Sequence, residues 1–369
     1  MEKIITTGIS TLLKAVSIIV LLLVKQVPSP AQERRPIEMV KVADGVYAFI
    51  DYDATREFVF GNSVAVIGDD GVLIFDSNQL PSLARKVLIE VRRLTDKPIR
   101  YVVNSHWHWD HTMGNQVYRD AFPQVDIIAH SETRREGDAE TPKMLYGVAN
   151  HLPEFLKGLK DVQKAAKHHN GKPMTAQENV RLAQLIRDVE TYYQEFKTAR
   201  YLSPTLTFEE KLILHLGNRE IQLLHPGKGN TAGDVVAYLP KEKVLLTGDL
   251  LVHPIPYSFG SFLPEWIQTL EKLAKLDSSI IVPGHGPVQR DKEYMKLVTS
   301  LLESVVKQVD ESVSRGLNLE ETRKALNLDS FKSRFAGDDP ELNHAFDNYF
   351  LLPATERVYQ QIKSKTVKQ

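Results

Sequence analysis

The stretch Ser105-His106-Trp107-His108-Trp109-Asp110-His111 packs three imidazoles and one carboxylate into consecutive turns of chain. Before it runs Ile99–Asn104, an apolar, β-branched segment that reads as a buried strand. After it, Thr112–Phe122 reads as a helix start, so the ligand-type residues fall on a strand-to-helix loop. In an extended loop, residues two apart project the same way, so His106 and His108 can share one metal. Asp110 and His111 follow where the chain turns and can face a second. Neutral imidazole with carboxylate is borderline-soft ligation, which suits Zn²⁺, as one or two ions, or another divalent cation. The chemistry such a centre supports is hydrolysis, because a bound Zn²⁺ lowers the pKa of water toward about 7 and makes hydroxide available for attack at neutral pH.

The elements that must position this stretch show in the surrounding pattern. Val46–Ile50, Ser63–Ile67 and Val72–Asp76 read as strands, the last two joined by the turn Gly68-Asp69-Asp70-Gly71. Pro81–Leu94 reads as a helix facing a sheet, with Leu83, Val87, Leu88, Val91 and Leu94 at helical spacing. Val125–Ala129 is a further strand ending in His130, read as a structural histidine. Between Ser131 and Ser203 the strand pattern stops. Leu152–His169 and Ala176–Ala199 read as a helical-hairpin insertion, with His168 and His169 solvated at its tip: a packing lid, a wall over a substrate cleft or a dimer surface. Strands resume at Leu206–Phe208, Lys211–Leu216, Ile221–Leu224, Val235–Leu239, Val244–Gly248 and Ile280–Val282, with a helix at Gly260–Leu276. Arg290–Gly316, Leu319–Leu326 and Pro340–Ile362 form a helical C-terminal extension, residues 299–369.

The 369 residues are 42% hydrophobic and 25% charged, the balance of a water-soluble globular chain, and the formal net charge is −1. Nothing in that balance argues for nucleic acid, whose binders show a basic field, and the expected partner is a small-molecule substrate. There is no cysteine. Disulfides, thiolate ligands and a Cys nucleophile are therefore excluded, and an oxidising compartment is suited. Residues 1–31 read as a cleaved signal peptide, with Lys3 in a basic start, an apolar run Val16–Val24 and small residues at Ser29-Pro30-Ala31. The mature chain is then periplasmic or secreted and has no stable membrane span. The alternative is an uncleaved anchor beginning at Ile4, which Lys14 interrupts.

The stretch His106–His111 resembles the H-x-H-x-D-H signature of the metallo-β-lactamase superfamily. Other landmarks follow: Gly61-Asn62-Ser63 like the family's early strand entry, Gly248-Asp249, and Pro283-Gly284-His285-Gly286. The segment Gly229-Asn230-Thr231-Ala232-Gly233-Asp234 is similar to the family's H-T-x-G-D loop, with Asn230 where the third histidine of the first metal site usually stands. The resemblance implies a four-layer αββα sandwich, an α/β fold, over residues 32–298, with the insertion at about 131–203. It implies Asp249 as a carboxylate bridging two metals and His285 as completing the second site with Asp110 and His111. Asp76 either supports the metal loop or caps the helix Pro81–Leu94. Asn230 is a weak ligand, leaves the first site empty, or polarises a substrate carbonyl; His225 is a substitute ligand if the loop folds back. His253 points to the cleft and substrate or belongs to the core. The function implied is an extracytoplasmic zinc-dependent hydrolase of an ester, lactone or lactam, with Asp110 orienting the attacking water. A phosphodiesterase and a non-enzymatic metal-binding module are the alternatives, and β-lactam hydrolysis is at most a side activity.

Overall fold

The computed structural model describes residues 37–50, 60–167 and 172–366. The leader-like segment and the pair His168-His169 lie outside the described residues. No helix among the described residues is long and apolar enough to cross a membrane.

Two sheets carry the fold. The first orders its seven strands as in sequence: β1 (Glu38–Ala43), β2 (Val46–Ile50), β3 (Ser63–Ile67), β4 (Val72–Phe75), β5 (Ile99–Val103), β6 (Asp126–His130) and β7 (Leu206–Phe208). The second runs β12 (Ile280–His285), β11 (Val244–Val252), β10 (Val236–Leu239), β9 (Arg219–Leu224) and β8 (Lys211–Leu216). Side chains alternate across each strand, so Val64, Val66, Leu73 and Phe75 enter the layer between the sheets, with Leu223, Ala237 and Leu246 opposite. Ala65, Val72 and Ile74 point the other way, against Val87 and Val91 of α1 (Pro81–Leu94). The outer face of the second sheet is covered by α6 (Leu263–Ala274) and α7 (Glu293–Ser314), with Trp266, Leu270, Val298 and Leu302 buried there. The layers are therefore α, β, β, α, as expected.

Several elements depart from expectation. The helix after the metal loop begins earlier, as the single turn α2 (Trp109–Thr112), followed by α3 (Asn115–Ala121). Asp110 and His111 thus sit on helical backbone, and one turn is too short to display a period. The chain after β6 enters α4 (Ser131–Ala165) directly, some twenty residues before the expected start. Its first turns bury Thr133, Gly137 and Thr141, a small-residue stripe at helical spacing that carries no apolar signal. α5 (Ala176–Phe196) follows the expected second helix. Residues 147–194 form a compact unit of their own, in which Lys160 pairs with Glu190 across the two helices. β11 does not end at Asp249 but continues to Val252, with Gly248 at φ +52° and a register shift beside it.

The C-terminal extension is helical, with α8 (Leu319–Ala325), α9 (Asp329–Ala336), α10 (Pro340–Ala345), a π-helical turn Phe346–Leu351, and α11 (Leu352–Thr366). α9 was not legible as a helix, and its buried residues are only Phe335 and Ala336.

Candidate metal centre

β5 delivers the chain to Ser105, where a side chain takes over from the sheet. The Ser105 N–H donates to Asp76 Oδ1 at 2.7 Å and its hydroxyl donates to Asp76 Oδ2 at 2.8 Å. The hydroxyl then accepts from Nδ1–H of His106 at 2.9 Å. This places the lone pair of His106 on Nε2, which is buried and has no hydrogen-bond partner among the described residues. His111 Nδ1–H donates to the same Asp76 Oδ2, so its Nε2 also turns inward. Asp76 therefore supports the metal loop. It does not cap α1, whose N-cap is Leu80 with no side-chain hydrogen bond. Asp76 adopts φ +59°, a left-handed conformation that Asp tolerates better than most residues.

The inward-facing donors form two groups that share one residue. Ligand atoms of Asp110, His111, Asp249 and His285 lie within 4.8 Å of one another, and so do those of His106, His108 and Asp249. Asp249 Oδ1 is 3.2 Å from His111 Nε2 and 3.3 Å from His285 Nε2, while Oδ2 is 3.7 Å from His106 Nε2. Asp110 Oδ2 is 3.1 Å from His285 Nε2 and 3.3 Å from His111 Nε2. The Nε2 atoms of His111 and His285 face each other at 3.3 Å, a separation at which two lone pairs repel unless a cation or proton lies between them. Convergent, lacking thiolate and buried except for the half-buried His108, the set fits a borderline divalent ion such as Zn²⁺.

The electrostatics agree. Burial alone would raise the carboxyls of Asp110 and Asp249, but the field of His111 overrides it and holds both below the usual carboxylate range. Burial alone would lower His285, yet Asp249 pushes it up to about 9. Burial and the neighbouring imidazoles instead hold His106 well below its usual value. The two carboxylates thus draw positive charge into the second group.

Close backbone approaches hold the donors in place. A Cβ on Gly284 would overlap Asp249 Oδ1, and one on Gly248 would overlap Ser105. Asn62, beside β3, clamps the loop carrying His285: its amide donates to Pro283 O and Gly286 O, both at 2.9 Å, and its N–H donates to Gly284 O at 2.7 Å. Asn104 and Asn115 exchange amide hydrogen bonds beneath the loop, and Asn104 Nδ2 also donates to His111 O at 3.2 Å. Asn104 and Asn115 carry no spacing signal of their own, and Asn62, though part of the landmark Gly61-Asn62-Ser63, gives no sign in the sequence of the loop it clamps.

The remaining sequence candidates divide. Asn230 is buried, and neither amide atom has a partner among the described residues. Its loop is tied to the metal loop by Val235 N–H donating to Ser105 O at 2.7 Å. His225 turns elsewhere, its Nδ1–H donating to Asp234 O and its ring stacked 4.0 Å from His130. It belongs to neither ligand group, nor does His130, whose Nδ1 accepts from Glu132 N–H at 3.1 Å. His253 packs its ring 4.9 Å from Tyr294, and its backbone N–H donates to His285 O. It too lies outside both groups.

A family model for the metallo-beta-lactamase superfamily matches residues 56–285, a span holding both donor groups. This chain belongs to that superfamily. Among curated relatives, the linear primary-alkylsulfatase of Pseudomonas sp. (strain ATCC 19151) is 22% identical over 261 residues, covering 68% of this chain and 46% of that protein. The metallo-beta-lactamase type 2 of Bacillus cereus is 30% identical over 94 residues, 24% of this chain and 37% of that protein. The chain spans less than half the length of these relatives. Among solved structures, a metallo-beta-lactamase from Pontibacter korlensis superposes with a TM-score of 0.51 at 18% identity, covering 72% of this chain and 98% of that one. FIM-1 metallo-beta-lactamase from Pseudomonas aeruginosa, in its mono-zinc form, gives 0.51 at 16% identity, covering 74% and 98%. At these identities the likeness is one of fold. The helices after His285 lie beyond the matched residues.

Proposed function

We propose that this chain is a metal-dependent hydrolase that cleaves an ester, lactone or lactam carbonyl in a small molecule. The observation that carries the reading is Asp249, which presents one oxygen to each histidine group. His106, His108 and Asp249 would hold one divalent ion, and Asp110, His111, Asp249 and His285 a second. Such an ion, Zn²⁺ in this proposal, would supply Lewis acidity and lower the pKa of a water toward about 7.

The chain's own residues do the rest. Asp76 and Ser105 select the tautomers of His111 and His106, which keeps each Nε2 lone pair on the donor side. Asp110, held ionised, accepts a hydrogen bond from the attacking water and orients it. Asn230 offers an amide N–H to the carbonyl oxygen as it gains charge, the part played by a side-chain donor in an oxyanion hole. Burial of His106, Asp110, His111, Asp249 and His285 keeps bulk water from competing for them, and His108 is half-buried. We place the activity outside the cytoplasm on two sequence arguments, the signal-like residues 1–31 and the absence of cysteine.

A second reading, sulfate-ester hydrolysis, draws support from the alkylsulfatase alignment, which covers 68% of this chain. The test is a panel of 4-nitrophenyl acetate, dihydrocoumarin, nitrocefin, 4-nitrophenyl sulfate and bis(4-nitrophenyl) phosphate, assayed with added zinc and after chelation. Chelator-sensitive turnover of the acetate or the lactone is expected. Turnover of the sulfate alone would favour the second reading, and of the phosphate alone a phosphodiesterase. An inert zinc-loaded chain would leave a metal-binding module.

A further inference from the structure

One rim of the donor cluster is aromatic, and its rings come from two distant parts of the chain. The Tyr257 ring stands 5.8 Å from that of His285 at an interplanar angle of 70°. Tyr349 lies 5.9 Å beyond Tyr257, and Phe259 lies 5.8 Å from Tyr349 and 6.4 Å from Tyr257. Exposure rises along the series: His285 is buried, Tyr257 and Tyr349 are partly buried, and Phe259 is 50% exposed. One exposed ring on a protein surface needs no explanation. Three in contact, leading from solvent to a ligand imidazole, have the composition of a binding site.

The arrangement is built rather than incidental. Tyr257 and Phe259 belong to the segment between β11 and α6, while Tyr349 belongs to the π-helical turn of the C-terminal extension. The buried Ser258, between Tyr257 and Phe259 in sequence, joins these parts. Its N–H donates to Tyr349 O at 3.0 Å and its hydroxyl to Phe350 O at 2.7 Å. A π-turn shifts the backbone pairing of a helix by one residue, a distortion that often serves a functional site. A second tie holds the same seam: Arg357 Nε donates to Ser261 O at 3.1 Å, and its guanidinium lies over Phe262.

We propose that Tyr257, Tyr349 and Phe259 form the subsite for an apolar group of the substrate, an aryl ring or an alkyl chain attached to the bond that is cleaved. The C-terminal extension then selects the substrate as well as covering the second sheet. The proposal rests on the hydrolase reading for the bond broken, but not for the binding of the apolar group. Rings of this kind favour apolar partners through burial and, for an aryl group, through edge-to-face contact.

The test is calorimetric binding of 2-naphthoate, octanoate and acetate to the full zinc-loaded chain. These share one charge and differ in apolar surface. The larger two should bind at least about tenfold more tightly than acetate, since each buried methylene adds to the affinity. Phe259→Ala and Tyr349→Ala should each erase about three- to tenfold of that preference and leave acetate unchanged. Ile213→Ala, an exposed apolar position on β8 at the opposite edge of the second sheet, should change nothing. Naphthoate ahead of octanoate identifies an aryl group, and the reverse an alkyl chain. Equal binding of all three acids, or a preference that both variants retain, overturns the subsite. Because Phe259 is half exposed, its substitution tests the idea even if Tyr349→Ala fails to fold. Binding that depends on Phe259 and Tyr349 in a chain that hydrolyses no ester, lactone or lactam would sink the hydrolase reading and leave the subsite standing.

Discussion

Asp76 Oδ2 lies 2.9 Å from Nδ1 of His111, and the same oxygen reaches His106 through the Ser105 hydroxyl. One buried carboxylate therefore orients an imidazole in each donor group. Asp76→Asn should weaken metal binding at both groups together, by about 10- to 100-fold, the usual effect of removing a hydrogen-bonding partner from a ligating histidine. Competition with a chromophoric chelator reads both affinities. A loss confined to one group would show that Ser105 orients His106 without help from Asp76.

Asp110 faces the Nε2 atoms of His111 and His285 and orients water in the proposed reaction. Asp110→Ala should lower turnover by more than about a hundredfold while the circular dichroism spectrum stays that of the parent. Turnover at the parent rate would rule out the proposed water-orienting role.

Asn230 has a buried amide with no partner among the described residues, in a loop bonded to the metal loop. Asn230→His should tighten metal binding at the group of His106 and His108, because imidazole is the stronger ligand for Zn²⁺. Zinc per chain after dialysis, with the competition assay, checks this. An unchanged affinity would place Asn230 away from any ligand position.

Asp234 closes the same loop, and burial pushes its carboxyl up to about 8. The unfolded value is about 3.9, so between these the folded chain holds the proton more tightly. The stabilisation is fully present below about pH 4 and is lost as pH rises through about 8. Asp234→Asn carries no charge at any pH and removes that slope. Relative to the parent, the variant should melt higher at about pH 9 than at about pH 5. A melting difference that is equal at both pH values would mean the carboxyl is not held protonated.

Gly284 leaves no room for a side chain, since a Cβ would overlap Asp249 Oδ1. Gly284→Ala should destabilise the fold by about 1–3 kcal/mol, the usual cost of overpacking, and lower zinc per chain as Asp249 is displaced. Urea melts and elemental analysis read the two effects separately, and zinc content equal to the parent's would argue against the displacement.

Much of this centre is legible in the chain because its residues are local. His106, His108, Asp110 and His111 fall within one short stretch, and Gly248-Asp249 and Pro283-Gly284-His285-Gly286 each follow an apolar strand that is easy to read. What hid the start of α4 was composition. Thr133, Gly137 and Thr141 pack as a helix face without being hydrophobic, so periodicity does not find them. The clamp from Asn62 to Pro283 and Gly286 was hidden by distance along the chain.

The layering of two sheets between helices came from the family resemblance. By itself, the sequence determined the types of donor and their order along the chain, and the apolar runs that mark individual strands and helices. Those properties depend on chemical identity and on spacing within single elements, which a linear reading retains. Only the tertiary structure decided that the two oxygens of Asp249 face different histidine groups and that Asp76 supports the loop rather than capping α1. It alone turned His225 away from the site and brought Tyr349 beside Tyr257. Each of these depends on where a side chain points after distant strands and helices have packed, and the direction of a buried side chain is set by its neighbours in space.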